Sequence, residues 1–328
     1  MRLKLRDIGI IKEADIKLDG LTVIAGENDS GKSTVGKVLY GLVKSIIKKS
    51  NYRGDHPDKG WCSDQFNTYI LKLFKNQISQ NGKINFEYDN AVFDIEIKRD
   101  RCIKFDCDES YSNQEPEYKA LFIDSPFIWN ILPSLKTMNN LESHGSDVDF
   151  ELLETIKDLY LALAIKLKDN DKIKIDIEPI VKGNFQENDL GDFVFKKNGQ
   201  NIEIVNTAMG IKYFGILQVL SDKNHFYNGQ ILILDEPEVH LHPKWQLELA
   251  KVIIELVHKG VKILVNSHSP YMIEALQRYA QKRSIPNNFY LADQQKIVED
   301  EQSLSKIFAK LSEPFDEFDK MDSESLNG

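Results

Sequence analysis

Cysteine is scarce: Cys62, Cys102 and Cys107 are all the chain has, too few for a disulfide framework. Only the last two are close together, and neither a second pair nor nearby histidines complete a zinc-binding spacing, so the thiols are read as structural. Long apolar runs are missing as well. None approaches the ~20 residues needed to span a bilayer, and the opening Met-Arg-Leu-Lys-Leu-Arg leads into alternating sequence rather than a signal-peptide core. These absences predict a cytoplasmic protein with no membrane segment. There is no excess of positive charge; the formal balance is −9, which argues against a surface that binds nucleic acid broadly. Lys44, Lys48, Lys49 and Arg53 form one local basic run, and a solvated helix end accounts for it equally well. Internal repeats and sustained coiled-coil heptads are also absent.

What is present is the make-up of a globular protein: 328 residues, 41% hydrophobic and 28% charged, enough for one large domain or two packed lobes. The opening KLKLRDIGIIKEADIKL alternates as antiparallel strands do, and LTVIAG reads as a short buried strand feeding a glycine loop. Val35, Val38, Leu39, Leu42, Val43, Ile46 and Ile47 then recur at helical spacing to about Lys48. Residues 50–80 show no clear period, 83–107 alternates as a small antiparallel sheet, and 108–118 has the composition of a linker. LFIDSPFIW predicts a strand and an exit turn. Leu152, Leu153, Ile156, Leu159, Tyr160, Leu163 and Leu167 predict an amphipathic helix, and FVFKKNGQNIEIV a hairpin turning at Asn198-Gly199. The last third alternates strands (231–234, 261–265) with helices, one from Pro243 to about Lys259 and one capped by Ser269, which implies parallel pairing. The acidic end, EPFDEFDKMDSES, reads as a solvated tail.

Three stretches carry chemistry. Gly26-Glu27-Asn28-Asp29-Ser30-Gly31-Lys32-Ser33 fits G-x-x-x-x-G-K-[ST], in which glycines let backbone N–H groups turn around phosphates at the start of a helix. In that pattern Lys32 reaches the β- and γ-phosphates, Ser33 offers its hydroxyl to Mg2+, and the loop from Gly26 through Asn28, Asp29, Ser30 and Gly31 to Thr34 forms the cradle. In ILILDEPEVHLHP, four apolar residues put Asp235 at the carboxyl end of a buried strand, the edge where open α/β sheets bind ligands. Asp235 is read as the magnesium-side ligand and Glu236 as the base that polarises the attacking water. VKILVNSHSP ends the next strand on His268, placed to meet the γ-phosphate or that water. His240 and His242, two residues apart in a turn, have no third metal ligand in view.

Taken together in this order, GENDSGKST, LDEPEVHLHP and NSHSP resemble the ATPase head of the ABC superfamily, above all its SMC, RecF and OLD relatives, over residues 1–276. The resemblance implies an α/β P-loop NTPase fold with a mixed sheet, an antiparallel β subdomain and a helical lobe, ATP and Mg2+ as ligands, and ATP hydrolysis. It implies lobe I from about 1–124 and 229–276, an inserted helical and β lobe over about 125–228, an extension at 277–312 and the acidic tail at 313–328. In that family two heads sandwich two ATPs, so an ATP-dependent homodimer is expected. Each head completes its partner's site with a signature loop, matched here by NTAMGIKYFGILQ. Met209 stands where the family has serine, leaving Gly210 and the helix N-terminus to face the anion, with Lys212 as added charge. The family's glutamine loop falls near Asp124-Ser125-Pro126.

No long coiled coil is present and few residues follow Leu276, so a stand-alone head is expected. Two readings follow. In one, the chain is a nucleotide-controlled switch or scaffold for a separate effector, in line with the anti-phage systems where such heads occur; in the other, it is a repair-type ATPase acting directly on DNA. The acidic balance favours the first. A P-loop kinase is disfavoured because Glu236 beside Asp235 positions water.

Overall fold

The computed structural model describes residues 1–50, 59–75, 77–88, 91–107, 119–143, 153–168, 172–188, 191–300 and 304–326. Its strands are β1 (Arg2–Ile8), β2 (Ile11–Lys17), β3 (Leu21–Ala25), β4 (Asn81–Tyr88), β5 (Ala91–Lys98), β6 (Arg101–Cys107), β7 (Ala120–Ile123), β8 (Asn184–Glu187), β9 (Phe193–Lys197), β10 (Gln200–Glu203), β11 (Ile231–Asp235), β12 (Lys262–Ser267), β13 (Asn287–Asp293) and β14 (Lys296–Glu299). The helices are α1 (Lys32–Ser50), α2 (Lys59–Phe74), α3 (Ile128–Ser143), α4 (Glu154–Ala164), α5 (Glu178–Val181), α6 (Met209–Asp222), α7 (Pro243–His258), α8 (Pro270–Lys282) and α9 (Ser305–Leu326).

Among the described residues one mixed sheet runs β6-β5-β4-β1-β2-β14-β13-β3-β12-β11-β7. From β13 through β3, β12 and β11 to β7 every pairing is parallel. β3, β12, β11 and β7 are covered on both faces, so they are largely apolar along their length. The side-chain period of two divides each between two cores: Ile231 and Ile233 join Val35, Val38 and Leu39 of α1 on one face, while Leu232 and Leu234 join α7 and α8 on the other. The opposite end, β1, β4, β5 and β6, is antiparallel, as the alternation over 83–107 predicts. A separate sheet, β10-β9-β8, packs beside α3 and α6, where Trp129 stacks on Phe185 at 5.7 Å. The β9–β10 turn places Asn198 and Gly199 at φ 51° and 77°, both positive as expected for that dipeptide.

The structure corrects several expectations. Residues 59–74 form α2, which the mixed polarity hid, and Cys62 lies on it. Leu153 is the N-cap of α4, not a member of it, and Leu167 lies beyond its end, its N–H bonded to Lys223 O at 2.9 Å; Leu152 is outside the described residues, as is the linker at 108–118. Residues assigned to an extension supply β13 and β14 to the interior of the main sheet. The acidic segment from 313 is helical to Leu326, continuing α9. Lys44 turns inward to pair with Asp158 at 2.6 Å, so it is no part of an open basic patch; the side chains of Lys48, Lys49 and Arg53 fall outside the described residues. Among the described residues no helix is long and apolar enough to cross a membrane.

Candidate nucleotide-binding site

The carboxyl ends of β3, β11, β12 and β7 lie side by side, because parallel pairing aligns Ala25 with Ser267 and Asp235 with Asn266. The loop from β3 to α1 is shaped by glycine. A Cβ on Gly26 would lie 2.4 Å from the carbonyl oxygen of Ala292, and Gly31 has φ 97° with Ile11 where a side chain would go. Asn28 and Asp29 are exposed at the tip, Asp29 with φ 60°, and the hydroxyl of Ser30 is buried without a hydrogen-bond partner. Thr34 faces Gly9 in the β1–β2 turn.

Lys32 opens α1 and is 3% exposed. Its Nζ donates to the carbonyls of Gly26 (2.9 Å) and Glu27 (2.6 Å) and stands 3.8 Å from Glu236 Oε1. Burial lowers its pKa, with the carboxylates of Glu236, Asp235, Glu238 and Glu27 opposing the shift. A desolvated ammonium held by carbonyls and carboxylates suits an incoming polyanion. Ser33 Oγ donates to Asp235 Oδ1 at 3.0 Å, and Asn266 Nδ2 donates to the same oxygen at 2.7 Å. A hydroxyl and a carboxylate at this separation are hard oxygen donors of the kind Mg2+ takes, so the residues present fit that ion.

Glu236 sits at φ 49°, uncommon for a residue with a side chain; its N–H is tied to Asn266 O at 2.9 Å. His268 is half-exposed, and its Nδ1 is 3.5 Å from Glu236 Oε1 and 3.5 Å from Glu238 Oε1. Lys32, Ser33, Asp235, Glu236 and His268, far apart in sequence, therefore meet. Two neighbours escaped the sequence reading. Asn266 precedes the recognised Ser267-His268-Ser269 by one residue, and strand register against Asp235 was the signal for it. Glu238 had no such signal, because its partners are about thirty residues away in sequence. Asp124 follows Ile123, the register partner of Leu234, so it emerges beside Asp235. Burial raises its carboxyl pKa and Asp235 adds to the rise, while backbone donors and Lys37 oppose it.

Gly210 lies in the first turn of α6, where a Cβ would meet Leu241 at 2.8 Å and the carbonyl of His240 at 3.5 Å. It is packed on the β11–α7 turn. Lys212 does not add charge to that surface. It is buried, its pKa lowered by burial, with Nζ bonded to Asn130 Oδ1 (2.9 Å) and Val205 O (3.3 Å). His242 caps α7 by accepting from Lys244 N–H at 3.2 Å.

Comparison with known proteins agrees with this geometry. The family described as "AAA domain, putative AbiEii toxin, Type IV TA system" matches residues 21–274. Septu protein PtuA of Bacillus thuringiensis is 22% identical over 299 residues, covering 83% of this chain and 72% of that protein. The Retron Vc95 probable ATPase of Vibrio cholerae serotype O1 biovar El Tor is 23% identical over 225 residues, covering 65% of this chain but 38% of the relative. In fold the chain is similar to a solved SMC head bound to the C-winged helix domain of ScpA, with a TM-score of 0.52 at 14% identity over 94% of this chain and 98% of that one. With the matched segment running from β3 through the phosphate loop, the Asp235 strand and the His268 loop into α8, the chain belongs to this AAA-domain family and has the fold of an SMC head.

Proposed function

We propose that the chain binds ATP with Mg2+ and hydrolyses it, and that the nucleotide state switches a separate effector protein. The observation that carries the catalytic reading is the placement of Glu236: held in a left-handed backbone conformation, with its carboxylate 3.8 Å from Lys32 Nζ and 3.5 Å from His268 Nδ1. Lys32 spends its donors on the carbonyls of Gly26 and Glu27 and faces Glu236. Phosphate oxygens replace those partners when ATP enters, freeing the Glu236 carboxylate to accept a proton from water. His268, on the loop beside it, orients that water or the γ-phosphate. N–H groups from Glu27 to Ser33 enclose the phosphates at the start of α1. Ser33 and Asp235 would hold Mg2+, which neutralises phosphate charge when bound.

Gly210 and the first turn of α6 would complete the site of a second copy, giving an ATP-dependent dimer; Met209 supplies no hydroxyl, so turnover is slow until a partner stimulates it. For the effector, support comes from relatives named for a Septu protein and a retron ATPase, in line with a role in anti-phage defence. The test is phosphate release by purified protein with Mg2+ and ATP. Wild type turns over and Glu236→Gln falls at least tenfold while still binding nucleotide; a wild type without turnover, or an unimpaired Glu236→Gln, overturns the reading.

A further inference from the structure

Two residues past the proposed base, the side chain of Glu238 is almost fully buried, yet it carries a carboxylate where an apolar group would fill the space at less desolvation cost. Its Oε1 accepts three hydrogen bonds, all from the loop between β12 and α8: Ser267 Oγ at 2.7 Å, His268 N–H at 2.8 Å and Ser269 N–H at 3.2 Å. The loop is tied further by Ser269 N–H to Ser267 Oγ at 3.1 Å and by Ser269 Oγ to Gln246 Oε1 at 2.5 Å. One carboxylate thus joins the turn that presents Glu236 to the loop that presents His268. The imidazole Nδ1 is equidistant, at 3.5 Å, from Glu236 and Glu238. Glu238 Oε2 and His268 Nδ1 are both buried and without a hydrogen-bond partner, so a small shift of the imidazole onto Glu238 satisfies a donor and an acceptor together.

We infer that Glu238 is a positioning residue for hydrolysis: it clamps the His268 loop and thereby fixes the imidazole beside Glu236. The inference rests on the ATPase reading. The charge matters, because a glutamine of the same shape would offer the three donors on Oε1 a neutral oxygen and weaken the charge-assisted hydrogen bonds that hold the loop.

The test is steady-state ATPase kinetics on the full chain, with nucleotide affinity and melting temperature measured alongside. Glu238→Gln lowers kcat about tenfold with KM for ATP within about twofold. His268→Ala lowers kcat comparably, and the double variant is no slower than His268→Ala alone, because Glu238 acts through His268. A purely structural role would instead multiply the two losses. If Glu238→Gln does not fold, Ser267→Ala removes one of the three donors and gives a smaller fall in kcat that vanishes in the His268→Ala background. Wild-type kcat in Glu238→Gln, or multiplicative losses in the double variant, overturns the inference while leaving the ATPase reading intact; a wild type without turnover overturns both.

Discussion

Lys32→Met separates a phosphate ligand from a structural staple. The lysine is buried, and its pKa is pushed below the ordinary 10.5 first by desolvation, with Glu236 and Asp235 opposing. Because the folded pKa is the lower one, the unfolded chain holds the proton more tightly. The desolvation penalty is therefore fully present below the folded pKa and fades as pH rises towards 10.5. Methionine removes the charge and keeps the length. Replacing a whole buried ion pair by apolar groups is neutral or stabilising by about 1–4 kcal/mol, and that range applies here because the carboxylates left behind, Glu236 and Asp235, are partly exposed and keep water. Against that, the carbonyls of Gly26 and Glu27 lose their donor, at about 1 kcal/mol each. The nucleotide-free variant should then lie within about 2 kcal/mol of wild type in either direction, a few degrees in melting temperature. Scanning calorimetry with and without nucleotide reads both roles. Nucleotide at a hundred times its Kd adds about 2.7 kcal/mol to wild type and nothing to Lys32→Met, and any nucleotide-free advantage of the variant at pH 7 shrinks towards pH 10. A nucleotide-free loss above about 3 kcal/mol would refute the argument, since it would make Lys32 a strut of the fold.

Gly215 in α6 lies against Phe185, where a Cβ would sit 2.5–2.7 Å from three ring carbons. That ring is wedged against Trp129 and Phe195, so Gly215→Ala should destabilise by about 1–3 kcal/mol despite alanine's better helix propensity, with unchanged urea midpoints contradicting the packing. Ser33→Ala removes the hydroxyl bonded to Asp235. It should weaken nucleotide binding at least tenfold in Mg2+ and leave binding in chelator unchanged, as titration calorimetry would show; equal losses in both conditions would say that Ser33 acts on the phosphates.

Local pattern carried the nucleotide edge. The phosphate loop, the Asp235 strand and the His268 strand were legible because each joins a continuous apolar run to a short polar motif. Parallel order then brought their ends together. What the sequence did not disclose depends on distant partners. Glu238 looks like any acid after a turn until Ser267 and Ser269 are seen around it. Lys212 reads as surface charge, and only tertiary packing shows its Nζ among Asn130 and the carbonyl of Val205. β14 gives no sequence signal, because a four-residue strand such as KIVE has too short an alternation to stand out, and α2 gives little because its apolar residues share a face with polar ones. The acidic charge beyond Glu313 does not disclose its helix, because α9 starts at Ser305 beside buried Leu304 and Ile307.

In the proposed cycle ATP closes a two-headed site and Glu236, by driving hydrolysis, opens it. Light scattering of wild type and Glu236→Gln, with and without ATP and Mg2+, tests this most directly. ATP should convert both to dimers, transiently for wild type and persistently for Glu236→Gln. A protein that binds ATP yet stays unchanged in mass in both forms would contradict it, and would make Met209, where the signature serine is missing, the first residue to replace.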